Sequence, residues 1–77
     1  METYLTLGTT YNFKIICDTT YSIAINYNDN WYDFEKNGVI YTLTFSINED
    51  GGILSIAYGI NDDHSDYEDM YTYYIDS

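Results

Sequence analysis

The chain has no proline and no arginine, and it holds one cysteine, one histidine and two lysines among 77 residues. Each scarcity removes a class of explanation. Lack of proline argues against an extended, semi-rigid linker. With Cys17 alone, no intrachain disulfide and no CxxC metal or redox pair can form; within Lys14-Ile15-Ile16-Cys17 it reads as a small buried hydrophobe. Stability must then come from packing. With His64 alone, a His-Glu-x-x-His zinc site is excluded. No apolar run reaches the ~18 residues of a membrane-spanning helix. Met1-Glu2-Thr3-Tyr4 lacks the basic region and apolar core of a signal peptide, so a cytoplasmic location is expected.

What is present in excess is negative charge. Thirteen acids against two lysines give a formal net charge of -11. An A+T-rich gene would account for abundant Asn, Ile and Tyr, but lysine codons are equally A-rich, so codon drift does not explain the missing cations. The acids run from Glu2 through Asp18, Asp29, Asp33, Glu35, Glu49 and Asp50 to Asp62 and beyond, and form no detachable tail. Like charges at this density destabilise a compact chain. A net charge of about 2–8 suffices for solubility, so the surplus points to recognition. Nucleic acid and anionic membranes would be repelled on contact, which leaves a basic protein surface as the natural partner.

Hydrophobic types at 45% and aromatics at 19% place the chain among globular proteins despite its charge. At this length only one compact core is expected, in a single domain spanning residues 1–77. Eleven tyrosines serve either a core or an interface, since each joins a large ring to a polar tip.

The pattern along the chain is β-rich. Thr3 to Leu7, Thr10 to Cys17, Tyr21 to Tyr27, Val39 to Ile47 and Ile53 to Ile60 alternate apolar and polar residues or carry strong strand propensity. Turn signals at Gly8-Thr9, Asn28-Asp29-Asn30, Asn37-Gly38 and Asn48-Glu49-Asp50-Gly51-Gly52 separate them. Trp31 to Lys36 fits a strand, with a helical turn as the alternative. In the last segment Tyr67, Met70, Tyr71, Tyr74 and Ile75 follow the spacing of an amphipathic helix, and Ser65-x-x-Glu68 reads as its capping box. Against this, Tyr71-Thr72-Tyr73-Tyr74-Ile75 has high strand propensity. The expected fold is α+β or mostly β: a small antiparallel meander, with or without one short C-terminal helix.

Catalytic and metal-binding signatures fail when tested. A calcium loop begun at Asn61 has Asp63 and Ser65 in place, but Asp66 replaces the required Gly and Thr72 the closing Glu. A capped helix after a loop fits that cluster better, with His64 exposed. No nucleophile-elbow motif accompanies the single histidine, and Gly51-Gly52 lacks a phosphate-loop lysine. Thirteen acids guarantee carboxylate pairs without implying a cleft. No enzyme activity, cofactor or metal is expected.

Two stretches combine carboxylates with large aromatics: Asp29, Trp31, Tyr32, Asp33 and Glu35, then Asp62, Asp63, Asp66, Tyr67, Glu68 and Asp69. Acids there can pair with lysine or arginine while Tyr and Trp supply anchor contacts. In size, acidity, tyrosine-rich strands and lack of catalytic motifs, the whole chain resembles the small acidic inhibitors that phages deploy against host nucleic-acid enzymes. Anti-CRISPR proteins, anti-restriction DNA mimics and uracil-DNA glycosylase inhibitors are of this kind. The resemblance is one of overall character and carries no residue over by position. It implies a non-catalytic inhibitor acting in the host cytoplasm as a monomer or homodimer. Such an inhibitor would occupy the basic channel of a CRISPR-Cas effector, carboxylates standing in for phosphates. The competing readings are an immunity-type protein that neutralises a nuclease toxin and a phage structural or assembly subunit.

Overall fold

Alternating side chains drive this chain into strands wherever a face can be buried, and the computed structural model, which describes residues 3–49 and 52–76, contains eight of them. They are β1 (Tyr4–Thr6), β2 (Thr10–Ile16), β3 (Ser22–Tyr27), β4 (Asn30–Asp33), β5 (Glu35–Asn37), β6 (Ile40–Ser46), β7 (Ile53–Gly59) and β8 (Glu68–Asp76). No helix occurs among the described residues, so the fold is mostly β.

The strands divide between two sheets. Sheet A has the order β1-β8-β7-β3-β4, and sheet B the order β2-β6-β5. All pairings are antiparallel except β1 with β8. A single sequential meander is therefore replaced by a two-layer arrangement in which β3 pairs with β7 and β1 with β8. The core lies between the layers. Ile23, Ile25 and Tyr27 of β3 and Leu54 and Ile56 of β7 meet Tyr41 of β6, with Leu5, Phe34 and Ile47 completing the cluster. Aromatic contacts bridge the sheets: Tyr27 meets Phe45 edge-on at 5.7 Å, and Phe13 lies 6.2 Å from Tyr73. Tyr41 is 1% exposed and donates its hydroxyl to the Tyr21 carbonyl, which shows how a tyrosine can be a core residue here.

The ambiguous stretch Trp31 to Lys36 is two strands rather than one. β4 belongs to sheet A and β5 to sheet B, and the chain changes layer at the buried Phe34, whose N–H bonds the Ile23 carbonyl at 2.9 Å. Trp31 and Phe34 mimic helical spacing because the crossover breaks the alternation between them. The Asn28-Asp29 turn has both residues at positive φ, 53° and 62°, as a type I′ hairpin requires. At the next hairpin Asn37 is already paired with Ile40, so Gly38 and Val39 form the loop. There only Gly38 has a positive φ (64°), so the turn has the φ pattern of type II′ instead of the I′ expected from Asn37-Gly38. Asp50 and Gly51 of the next expected turn lie outside the described residues.

Of the two readings open for the C-terminal segment, helix or strand, the structure has the strand, β8. Its helix-like spacing has an identifiable origin: Ala57 pairs with Asp69 and Ile56 with Tyr71, so Met70 is an extra residue in a β-bulge. Met70, Tyr73 and Ile75 are the partly buried residues of β8. Their spacing of three and then two imitates a helical stripe, while the Tyr71–Ile75 run supplies the strand propensity that prevails. Ser65 and Glu68 form no capping box: the Ser65 N–H bonds the Asp63 carboxylate at 3.0 Å, and Glu68 begins β8.

Candidate partner-binding surface

Directly paired residues of a sheet share a face, so the registers define the outer surface of sheet A. One row across it reads Asp33, Ala24, Ala57, Asp69, and the next reads Trp31, Asn26, Ser55, Thr72. Ser22 and Gly59 form a third. The centre of this face is thus paved with small side chains, yet Ala24 is 0% and Ala57 1% exposed. The segment joining β7 to β8, residues 60–67, folds back toward it.

That loop is held by its own carboxylates. Asp66 accepts hydrogen bonds from the backbone N–H of Ile60 (2.9 Å) and Asn61 (3.2 Å), and Asp63 accepts from Ser65. The Ser65 hydroxyl, followed by its N–H, holds the exposed Asp63 carboxyl below the usual aspartate range. His64 takes a positive φ of 68° at the tip, a conformation polar residues tolerate better than branched ones. Tyr67 then lies against Gly59, where an added Cβ would sit 2.8 Å from the ring's Cε1 and 2.6 Å from Asp66 Oδ1. Only glycine leaves room for this approach.

Three rings meet above the sheet. Trp31 and His64 stack with centroids 4.6 Å apart and planes 1° from parallel. Tyr67 stands edge-on to both, at 5.3 Å from Trp31 and 5.0 Å from His64. His64 Nε2 is 2.8 Å from Asp33 Oδ1, joining the loop to β4. The Tyr67 hydroxyl is enclosed beside Ser22 without a well-formed hydrogen bond. Burial, supported by the nearby Asp33, Asp62 and Asp66 carboxylates and opposed by Ser22, pushes its phenol upward.

The structure thus joins most of two acid-aromatic stretches that lie far apart in sequence. Trp31 and Asp33 come from the first; Asp63, Asp66 and Tyr67 come from the second, and Asp62 lines a cleft with Asp33 and Tyr67. Asp69 shares the row of Asp33 across three strand spacings, roughly 14 Å. Four residues lie elsewhere. Tyr32 points to the opposite face and packs 4.8 Å from Phe45. Glu35 is in sheet B opposite Thr42. Asp29 is at the tip of the β3–β4 turn, and Glu68 reaches toward the Tyr58 hydroxyl at 3.4 Å.

His64 is the residue that sequence reasoning misplaced. It is not a fully exposed side chain: only 21% of it is accessible, and it is the clasp between the two stretches. Its signal was its position as the lone imidazole inside an acid run, flanked by a tyrosine. Both lysines are carried by sheet B, and Lys36 lines the cleft that holds Asp33, Asp62 and Tyr67. Lys14 is opposite Thr42 in sheet B, and Lys36 sits 5.3 Å from the Tyr41 ring.

Among the described residues no group of three His, Cys, Asp or Glu side chains is placed to hold a metal ion, and no helix is long and apolar enough to cross a membrane. Comparison of the chain with protein-family models, with curated proteins and with solved structures finds no match.

Proposed function

We propose that this protein is a non-catalytic inhibitor whose acidic outer face on sheet A binds the basic nucleic-acid-binding surface of a host defence enzyme. A CRISPR-Cas effector is the target class in view. The supporting observation is the convergence just described. Carboxylates drawn from β4, the 60–67 loop and β8 surround an aromatic cluster on one face, while both lysines belong to the other sheet. Exposed carboxylates steer toward arginine and lysine and speed encounter. Trp31 and Tyr67 add ring surface against which a guanidinium stacks. An effector channel built to hold a heteroduplex presents such cations in quantity.

The acids differ in what they do for the fold, and this decides the test. Asp33, Asp63 and Asp66 make internal hydrogen bonds. Asp62 and Asp69 are exposed and make no hydrogen bond to the backbone of the loop. The variant of choice is therefore Asp62→Lys with Asp69→Lys. In a DNA-binding competition with a guide-loaded Cas effector, wild-type protein should displace DNA, less so as salt rises. The double variant should fold and fail to compete. Equal competition by both proteins, or none by the wild type across a panel of effectors, rejects the proposal.

A further inference from the structure

The two sheets have four edges, and natural proteins guard such edges by shortness, charge or proline, because unpaired N–H and C=O groups invite another strand. Three of the four are short: β1 and β5 have three residues each and β4 has four. The fourth, β2, runs seven residues with no acid and no proline, in a chain that has thirteen acids. Its only charge is Lys14. Its neighbour β6 is also free of acids.

Hydrogen bonds at both ends of β2 fix which backbone groups face outward. Ile47 N–H bonds the Thr9 carbonyl at 3.0 Å, and Cys17 N–H bonds the Val39 carbonyl at 2.8 Å. Odd-numbered residues from Thr9 to Cys17 therefore face β6, given the continuous register between Thr10↔Ser46 and Ile16↔Ile40. Even-numbered Thr10, Asn12, Lys14 and Ile16 direct their N–H and C=O groups away from the sheet.

We infer that β2 is a homodimerisation edge, pairing antiparallel with β2 of a second copy about an axis through Phe13. In this register Asn12 faces the partner copy's Lys14, and Thr10 faces the partner copy's Ile16. Every outward N–H and C=O of the strand is used, and no two like charges are opposed. A register shifted by two residues toward the C-terminus would oppose the two Lys14 side chains and is disfavoured. Ile16, 69% exposed on the outer face, gains a cross-strand neighbour. A second copy is favoured over a basic segment of another protein because this edge offers no carboxylate to attract one. For two chains of net charge -11, it is also the edge where approach costs least.

The result is a continuous sheet β5-β6-β2 followed by the same strands of the partner in reverse order. Paired residues share a face, so both copies hold their sheet A on the same side of it. The inference does not depend on the proposed inhibitor role.

Sedimentation equilibrium of the full chain at physiological salt, and at about 1 M salt where the screening length falls to about 3 Å, tests it. The expected mass is twice 9.0 kDa in at least one of the two conditions. Asn12→Pro removes an outward N–H and leaves the β2–β6 ladder intact. Asn12→Glu with Lys14→Glu places acids opposite acids across the axis and keeps every backbone bond. Each variant should halve the mass with an unchanged far-ultraviolet dichroism spectrum. A wild-type monomer in both salts overturns the inference. So does a dimer that survives in the folded double-glutamate variant.

Discussion

Trp31 and His64 are stacked face to face, 4.6 Å between centroids, although they are separated by 33 positions in the chain and belong to different structural elements. The stack sets the position of the 60–67 loop, because the same imidazole also reaches Asp33 at 2.8 Å. His64→Ala should remove both contacts, shift Trp31 emission to the red and cost about 0.5–1.5 kcal/mol, the usual worth of such a ring pair. His64→Phe keeps a ring over the indole without a nitrogen for Asp33. It should therefore preserve the emission maximum while the 60–67 amides gain hydrogen-exchange rate. Trp31 fluorescence and amide exchange together separate the two contributions. Identical emission in wild type and His64→Ala would show that the stack does not form.

Gly59 is not at positive φ, so its requirement is steric. A methyl group there meets the Tyr67 ring and the Asp66 carboxylate that holds the loop. Gly59→Ala should expel the ring at a cost of about 1–3 kcal/mol, in the range of overpacking a filled site. Gly52, at φ 76° with open space around it, is the contrasting case, where substitution is penalised by backbone conformation alone. Chemical denaturation of Gly59→Ala, with and without Tyr67→Ala, measures the steric part. If the clash is the cause, the second substitution relieves most of the loss.

The alternation in Tyr21–Tyr27, Val39–Ile47 and Ile53–Ile60 was sufficient to place β3, β6 and β7, because each buries one face and a period of two is unambiguous over six or seven residues. Two local irregularities hid the rest. The sheet change at Phe34 and the bulge at Met70 each insert one residue out of phase, and each produces an i, i+3 spacing that resembles a helix. The division of strands into two sheets was illegible for a different reason: pairings such as β1 with β8 depend on contacts across nearly the whole chain. Both acid-aromatic stretches could be read from composition, but their meeting required knowledge of where His64 lands. Tyr32 was grouped with its neighbours on one surface, although its register position opposite Ile25 turns it to the other face, toward Phe45, where it stays exposed.

Asp63 gives the loop a signed dependence on acid. Hydrogen bonds from Ser65 lower its folded pKa below the unfolded value. The associated stabilisation is therefore fully present above the ordinary carboxylate range and is lost as pH falls through the lower folded value. The Ser65–Asp63 contact should persist through mild acid and loosen only below that range. Following the Ser65 amide resonance against pH should show its main shift there, and Asp63→Asn, which still offers a carbonyl oxygen to the amide, should abolish that shift. A Ser65 titration at or above the ordinary aspartate value would contradict the assignment.

At the alkaline end the tyrosines should divide into classes. Burial raises the phenols of Tyr67 and Tyr73, and the Glu68 carboxylate, followed by burial, raises Tyr58. Tyr11 moves the other way, because the Thr6 N–H donates to its oxygen at 2.8 Å and favours the phenolate. For a group raised on folding, the stabilisation is complete below the unfolded phenol value of about 10 and is lost as pH rises through the folded value. Tyr67 and Tyr73 should therefore resist ionisation and then weaken the fold once they ionise, with the 60–67 loop opening as the Tyr67 phenolate, beside Asp33, Asp62 and Asp66, seeks water. Ultraviolet titration of the phenolate band should show an early component that disappears in Tyr11→Phe. A late component should coincide with loss of Trp31 near-ultraviolet dichroism. Tyr67→Phe removes the charge but keeps the ring against Gly59, so it should move the dichroism loss to higher pH. If that loss stays where it was, ionisation of Tyr67 is not what opens the loop.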